Sequence, residues 1–447
     1  MNPVHRSPLL ARGLIAAAAL TACSLCAAFG ENATGTMPKM ADPSQLTGTH
    51  GGETARPAIG VPLIAAEGLI KDGHFAEAMT KVREAERAAP EMTRYERYAI
   101  SRTKAAAAMG AGQPQLAFEA IEAAIDTKQL TGNEQNELIA SLVHAAYTAK
   151  DYARAVRWAD RYAQEGGTRA DIAPLRMQAL FLGGDFAGAA AALQAQIRAD
   201  EAAGRVTSER ELQLLASAQR KLGDEAAVVQ TIERLATRYP KPGYWADLLS
   251  RIDRKTLSER LFLDLLRLTR ITGNLPGGED NVLLAELALQ AGFGGEALAV
   301  LDDASAHGLL KDAALAKAQP VRAKAAKAAA EDVANRKRDE SGARAAKDGN
   351  GLVLLGESAV GEGRIDAGIA MIEAGLAKGG VKRVEEHRLR LGEAQAQAGR
   401  KDAAQLTLAA VKGPEGLGEL AHLWWLYARV SPAAPVSSSQ PVASAPQ

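Results

Sequence analysis

Seven histidines are the first residues to test for chemistry: His5, His50, His74, His144, His307, His387 and His422. No two stand three to five residues apart, so neither an HExxH zinc helix nor a zinc-finger spacing is present. The glycines form no G-x-x-x-x-G-K-[ST] phosphate loop, and no G-x-S-x-G elbow offers a serine nucleophile. Both cysteines, Cys23 and Cys26, lie near the N-terminus. Metal, nucleotide and serine-hydrolase chemistry lack their short signatures, and the chain reads as a non-enzyme with no cofactor. Lys plus Arg and Asp plus Glu are each 53, so the net charge is zero and no general attraction to nucleic acid is expected. One basic stretch, residues 320–339, carries Arg322, Lys324, Lys327, Arg336, Lys337 and Arg338. It has no aromatic side chain on which bases could stack, and reads as a solvated helix face.

What positions the remaining side chains follows from composition. Hydrophobic residues make 47% of the 447-residue chain, aromatics only 4%, and alanine about a fifth. Alanine is the best helix former and lets helices approach closely, so an all-α protein with small-residue packing is expected.

Arg6 and Arg12 precede an apolar run over residues 13–22, too short for a stable membrane span. With the small and polar residues that follow, this is the layout of an export signal over residues 1–30, pointing to a bacterial periplasm. Removal of that segment leaves no thiol unless Cys23 survives, and a sizeable helical core needs no disulfide. Two processing routes stand open. Leu20-Thr21-Ala22-Cys23 resembles a lipoprotein lipobox, with Cys23 acylated and held at the outer membrane, where buried methylenes contribute ~0.8 kcal/mol each. Ala28-Phe29-Gly30 instead offers small residues for cleavage before Glu31, giving a soluble product. Residues 31–60 read as a flexible linker and residues 431–447, uncharged and rich in Pro, Ala and Ser, as a disordered tail.

Between them a pattern repeats. Gly73 is followed in phase by Phe75, Ala78, Val82, Ala85 and Pro90; Gly184 by Phe186, Ala189 and Leu193; Gly399 by Ala404, Leu408 and Val411. Gly112, Lys150, Gly223, Gly292 and Gly363 open comparable segments. The interval is close to the ~34 residues of a helix-pair repeat, except that Gly223 to Gly292 and Gly292 to Gly363 are each about twice as long. Each long interval is expected to hide a degenerate helix pair, one including residues 256–271 and the other residues 320–339. Capping boxes at Thr93/Glu96, Thr131/Glu134, Ser208/Glu211 and Thr256/Glu259 mark helix starts.

These phased residues, with Leu355-Gly356 and Leu391-Gly392 ahead of their turns, resemble the tetratricopeptide repeat (TPR) over residues 61–412. The resemblance implies a right-handed α-α superhelix, a TPR-like solenoid with a C-terminal capping helix. The expected organisation is an N-terminal array over 61–240, degenerate helical repeats over 241–348, C-terminal repeats over 349–412, and a capping helix over 413–430. Leu423-Trp424-Trp425-Leu426-Tyr427 would cover the last exposed edge.

In such repeats the first helix of each pair lines the concave surface. Alignment on the turns places Arg102, His144, Tyr147, Gln178, Phe181, Gln213, Arg220, Glu286, Glu357 and Glu393 at inward positions. The Lys/Asn clamp with which some family members hold an acidic chain end is missing. Aromatics in the middle would anchor an extended peptide, and Glu286, Glu357 and Glu393 would steer a basic one, each contributing ~0–1 kcal/mol. The expected function is an exported scaffold holding a protein or peptide partner in a cell-envelope assembly. Two alternatives accompany it: an outer-membrane lipoprotein assembly factor, and a glycan-binding superhelix or cell-wall enzyme regulator. Gly356-Glu357-Ser358 resembles the Glu-Ser of lytic transglycosylases, but Glu357 follows an LG pair and no lysozyme-like motif comes after it. A groove-facing glutamate is the expectation there.

Overall fold

The computed structural model describes residues 54–88, 90–130 and 132–430. The export segment with Cys23, most of the linker, the tail and the Thr131/Glu134 cap lie outside the described residues. Among the described residues there is no strand, and no helix is long and apolar enough to cross a membrane.

The chain divides into two compact units between Gln196 and Ile197. The first holds α1 (Pro57–Lys71), α2 (Phe75–Arg87), α3 (Arg94–Gly110), α4 (Pro114–Asp126), α5 (Gly132–Thr148), α6 (Tyr152–Gln164) and α7 (Ile172–Leu182). The boundary falls within α8 (Phe186–Ala202). The second holds α9 (Glu209–Leu222), α10 (Glu225–Arg238), α11 (Pro242–Ser250), α12 (Phe262–Ile271), α13 (Gly278–Gln290), α14 (Gly294–Ala306) and α15 (Asp312–Ala345). It ends with α16 (Asn350–Gly361), α17 (Ile365–Lys378), α18 (Val384–Gln397), α19 (Lys401–Ala409) and α20 (Leu417–Val430).

The pairing has a local cause. All eight turn residues inferred from the sequence have left-handed backbone, from φ 60° at Lys150 to 88° at Gly292. Each ends a helix with a double bond: Gly184 donates to the Phe181 carbonyl at 3.2 Å and Asp185 to that of Leu180 at 2.9 Å, and Gly399 and Arg400 do the same. This closure satisfies carbonyls that the helix end would otherwise leave unpaired, and it reverses the chain. The residue five beyond each turn is buried in every case: Ala78, Ala117, Ala155, Ala189, Val228, Ala297, Gly368 and Ala404. At the tightest crossing, α16 on α17, a Cβ on Gly368 would stand 2.6 Å from the Gly356 carbonyl oxygen. The architecture is all-α, built of consecutive helices paired across tight left-handed turns.

Two expectations need correction. The interval from Gly292 to Gly363 holds no hidden pair. Residues 312–345 form one 34-residue helix, because an alanine-rich run with no glycine before Gly342 gives it nothing to turn on. Only Pro320 interrupts its bonding, near the N-terminal end. The Thr256/Glu259 capping box is also not made. The Thr256 hydroxyl donates to the Asp253 carbonyl at 2.9 Å, and α12 begins at Phe262 after a short 3-10 turn. The Thr93/Glu96 and Ser208/Glu211 boxes are both present.

Glu96 does more than cap. Its carboxylate, on a residue with 0% exposure, accepts from the Thr93 N–H (2.9 Å), the Arg56 N–H (3.0 Å), and Arg56 Nε and Nη2 (2.7 Å each). The start of α1 is thereby tied to the start of α3. Chiefly the Arg56 guanidinium lowers the Glu96 carboxyl to about 2. A depressed folded pKa gives stability present above the unfolded value near 4.5 and lost as the pH falls towards 2. Acid unfolding of unit 1 is expected to steepen in that window, and Glu96→Gln to flatten it while costing about 1–3 kcal/mol at neutral pH. Circular dichroism against pH for both proteins checks this; identical profiles would contradict it.

Unit 2 is closed on itself. Helix α20 packs against α10, α12, α18 and α19, and the Ser258 N–H donates to the Glu415 carbonyl at 3.2 Å. His422 on α20 meets Glu233 on α10 at 2.9 Å.

Candidate functional site

Two groupings of polar side chains stand out, one in each unit. In unit 1 the aligned positions on α3, α5 and α7 are half-buried, and those on α5 and α7 are braced across the two helices. Tyr147 Oη donates to Gln178 Oε1 at 2.8 Å, and His144 Nε2 lies 2.7 Å from Asp171 Oδ2. Arg169 donates to the same Asp171 and to Glu137. Arg169 first, and His144 after it, lower the Asp171 carboxyl to about 2. Tyr147 and Tyr152 meet edge to face at 5.8 Å, as do Phe181 and Phe186 at 5.3 Å. Arg102 stands 3.4 Å from Tyr98 Oη. The structure thus brings His144, Tyr147, Gln178 and Phe181 into one strip whose side chains are already held in place.

In unit 2 the same bracing recurs at Gln213, which donates to Tyr244 at 2.6 Å, and at Arg220, which donates to Asp247. Glu286 is half-buried on α13. The other two glutamates are not where a steering role would need them. Glu357 on α16 and Glu393 on α18 are 4% and 2% exposed, the first held by His387 and Arg390 and the second turned towards Arg267 of α12. The correction is clear: neither lines an open surface.

What they line instead is a cavity of about 340 Å³ walled by α12, α13, α14, α16, α17 and α18. Arg390 reaches across 126 residues to Asp264, with Nη2 3.2 Å from Oδ2, and its Nη1 donates to Glu357 Oε2 at 3.3 Å. Arg267 holds Asp264 at 2.6 Å and both oxygens of Glu296, at 2.7 and 2.6 Å. His387 Nδ1 donates to Glu357 Oε1 at 2.5 Å. Glu393 is the exception: its Oε1 is buried with no hydrogen-bond partner, and Oε2 is 3.8 Å from Arg267 Nη1. Burial, and then the Asp264 carboxylate, hold the Glu393 carboxyl well above the usual range against the pull of Arg267 and Arg390. Leu284, Val300, Val360 and Ile372 make the apolar part of the wall. Arg270, Ile271 and Asp303 are partly exposed and mark its mouth.

Asp264, Arg267, Glu296, His387 and Arg390 were not singled out by sequence reasoning. The available signal was the interruption of leucine runs by charge three residues apart, Asp264 with Arg267 and Arg390 with Glu393. Among the described residues no group of three or more His, Cys, Asp or Glu side chains is arranged to hold a metal ion.

No family model and no curated protein matches the chain. Among solved structures it is similar to a chain of Naa15/Naa10 bound to HypK-THB, at 14% identity and a TM-score of 0.26, over 78% of this chain. The chain spans 63% of that one's length. It is also similar to the P58(IPK) TPR domain, at 11% identity and a TM-score of 0.23, over 83% of this chain and 97% of that one.

Proposed function

We propose that the chain is a non-catalytic scaffold of the tetratricopeptide type, exported to a bacterial envelope, which holds an extended segment of a protein partner on the first-helix strip of unit 1. The observation that carries this is the bracing of Tyr147, Gln178 and His144 beside the paired aromatics Phe181 and Phe186. Side chains held in advance lose little freedom on binding, so an aromatic and amide strip of this kind suits peptide capture. The export part of the reading rests on Arg6, Arg12 and the apolar run over residues 13–22, and the lipoprotein form on Cys23.

A photo-crosslinking side chain placed at Tyr147, Gln178 or Phe181 in native cells is expected to give one shared adduct. The same group at Arg83 or Arg157, exposed on the second helices, should give none. Adducts of equal yield at all five positions would dismiss the strip. Mass spectrometry of the mature N-terminus separates an acylated Cys23 from a start near Glu31, and an intact Met1 would contradict export. The glycan-cleaving alternative requires two carboxylates flanking an open cleft. Glu357 is buried and bound by His387 and Arg390, which weighs against it; release of muropeptides from sacculi, abolished by Glu357→Gln, would restore it.

A further inference from the structure

We propose that the cavity of unit 2 binds an organic cation, an alkyl ammonium or guanidinium group seated against the free oxygen of Glu393. A buried carboxyl oxygen without a donor is costly, and native structures seldom leave one unless something else supplies the partner. None of the wall's guanidinium groups is free to do so, and the one side-chain amide in the wall, that of half-buried Gln397 one turn further along α18, makes no bond to it. Arg267 is spent on Asp264 and Glu296, Arg390 on Asp264 and Glu357, and Arg270 on Asp303. The lone pairs of Oε1 therefore lack a donor, and the proton that burial holds on the carboxyl lacks an acceptor; a cation meets the first need and, by displacing the proton, removes the second.

Charge selects the kind of donor. Three guanidinium groups, Arg267, Arg270 and Arg390, face five carboxyl groups, those of Asp264, Glu296, Asp303, Glu357 and Glu393. No titratable side chain of α13 or α17 lines the cavity; those helices contribute Leu284 and Ile372. His387 lies behind Glu357. An anion would meet a wall with an excess of acid, whereas a cation offsets it. Leu284, Val300, Val360 and Ile372 suit the methylene stem that such a group carries. The volume is at the small end of ligand sites, which run from about 300 to 1,000 Å³. In the empty site the raised pKa keeps a proton on Glu393, and an arriving ammonium displaces it to solvent.

One chemistry has two sources: a free amine, or the lysine side chain of a partner. The cavity and the strip of unit 1 share no residue, so either function can stand without the other. The test is calorimetric titration of the full chain with pentane-1,5-diamine and with a capped Gly-Lys-Gly peptide, using hexanoate as the anionic control. At least one amine is expected to bind with one-to-one stoichiometry and to release a proton, read as a heat that depends on the buffer. Glu393→Gln is expected to weaken it tenfold or more without lowering the melting temperature. Binding of the diamine alone assigns a free amine, and binding of the peptide as well assigns a lysine side chain. No heat from either amine, equal binding by hexanoate, or unchanged affinity in Glu393→Gln would overturn the proposal. A Glu296→Gln variant gives an independent check, since it removes charge from the wall and is expected to weaken the same amine.

Discussion

Arg390→Met is expected to destabilise unit 2 by about 3–5 kcal/mol, which is what breaking one side of a buried ion pair costs. The substitution keeps the volume but strips a cation from between Asp264 and Glu357, both almost fully buried. The lower end of the range is favoured, because Arg267 still holds Asp264 and His387 still holds Glu357. Trp245, Trp424 and Trp425 all lie in unit 2, so in a Trp158→Phe background indole emission reports that unit alone. With ~1–3 kcal/mol per molar urea, the midpoint should fall by 1 M or more on the order-of-magnitude slope. Adding Asp264→Asn should recover part of the loss, since it removes a carboxylate left short of a partner. A midpoint unchanged by Arg390→Met would mean that the cluster is solvated in solution and not a buried network.

Trp424→Ala has an expected cost of the same size, about 3–5 kcal/mol, for a different reason. The ring is 0% exposed and meets Tyr427 edge to face at 5.6 Å, and Tyr427 in turn meets Trp245 at 6.1 Å. Its removal leaves a void under α20, the helix that fastens α18 and α19 to α10 and α12. Trp424→Phe should cost far less, within about 1.5 kcal/mol, because the indole Nε1–H is buried with no acceptor and its loss is no penalty. Limited proteolysis of α20 distinguishes the two variants: rapid cutting in the alanine variant only. Equal resistance in both would place the anchoring elsewhere.

The helical pairing was legible from the amino acids because its determinants are local. A helix that ends in a tight reversal needs a residue tolerant of positive φ, and a crossing needs a small side chain; Gly184 and Ala189 declare both within six residues. The strip on α5 and α7 was legible for the same reason, since the turns fix the phase of Tyr147 and Gln178. Helix α15 was not, because a missing turn leaves only length, and length alone suggested two helices where alanine and charge built one. The cavity was least legible. Asp264 and Arg390 are far apart in the chain, and periodicity cannot report that the two helix faces meet. Glu357 and Glu393 looked like surface residues because only the tertiary closure of unit 2 buries them.

That closure sets an order on biosynthesis. Glu233 waits for His422 and Asp264 for Arg390, so unit 2 cannot be completed until α20 has been translated, whereas the helices of unit 1 are made well before. A premature stop that removes only α20 would therefore strip the cover from helices made far earlier. Nascent chains stalled shortly before Trp424 should expose apolar surface to quality control while unit 1 is already protected.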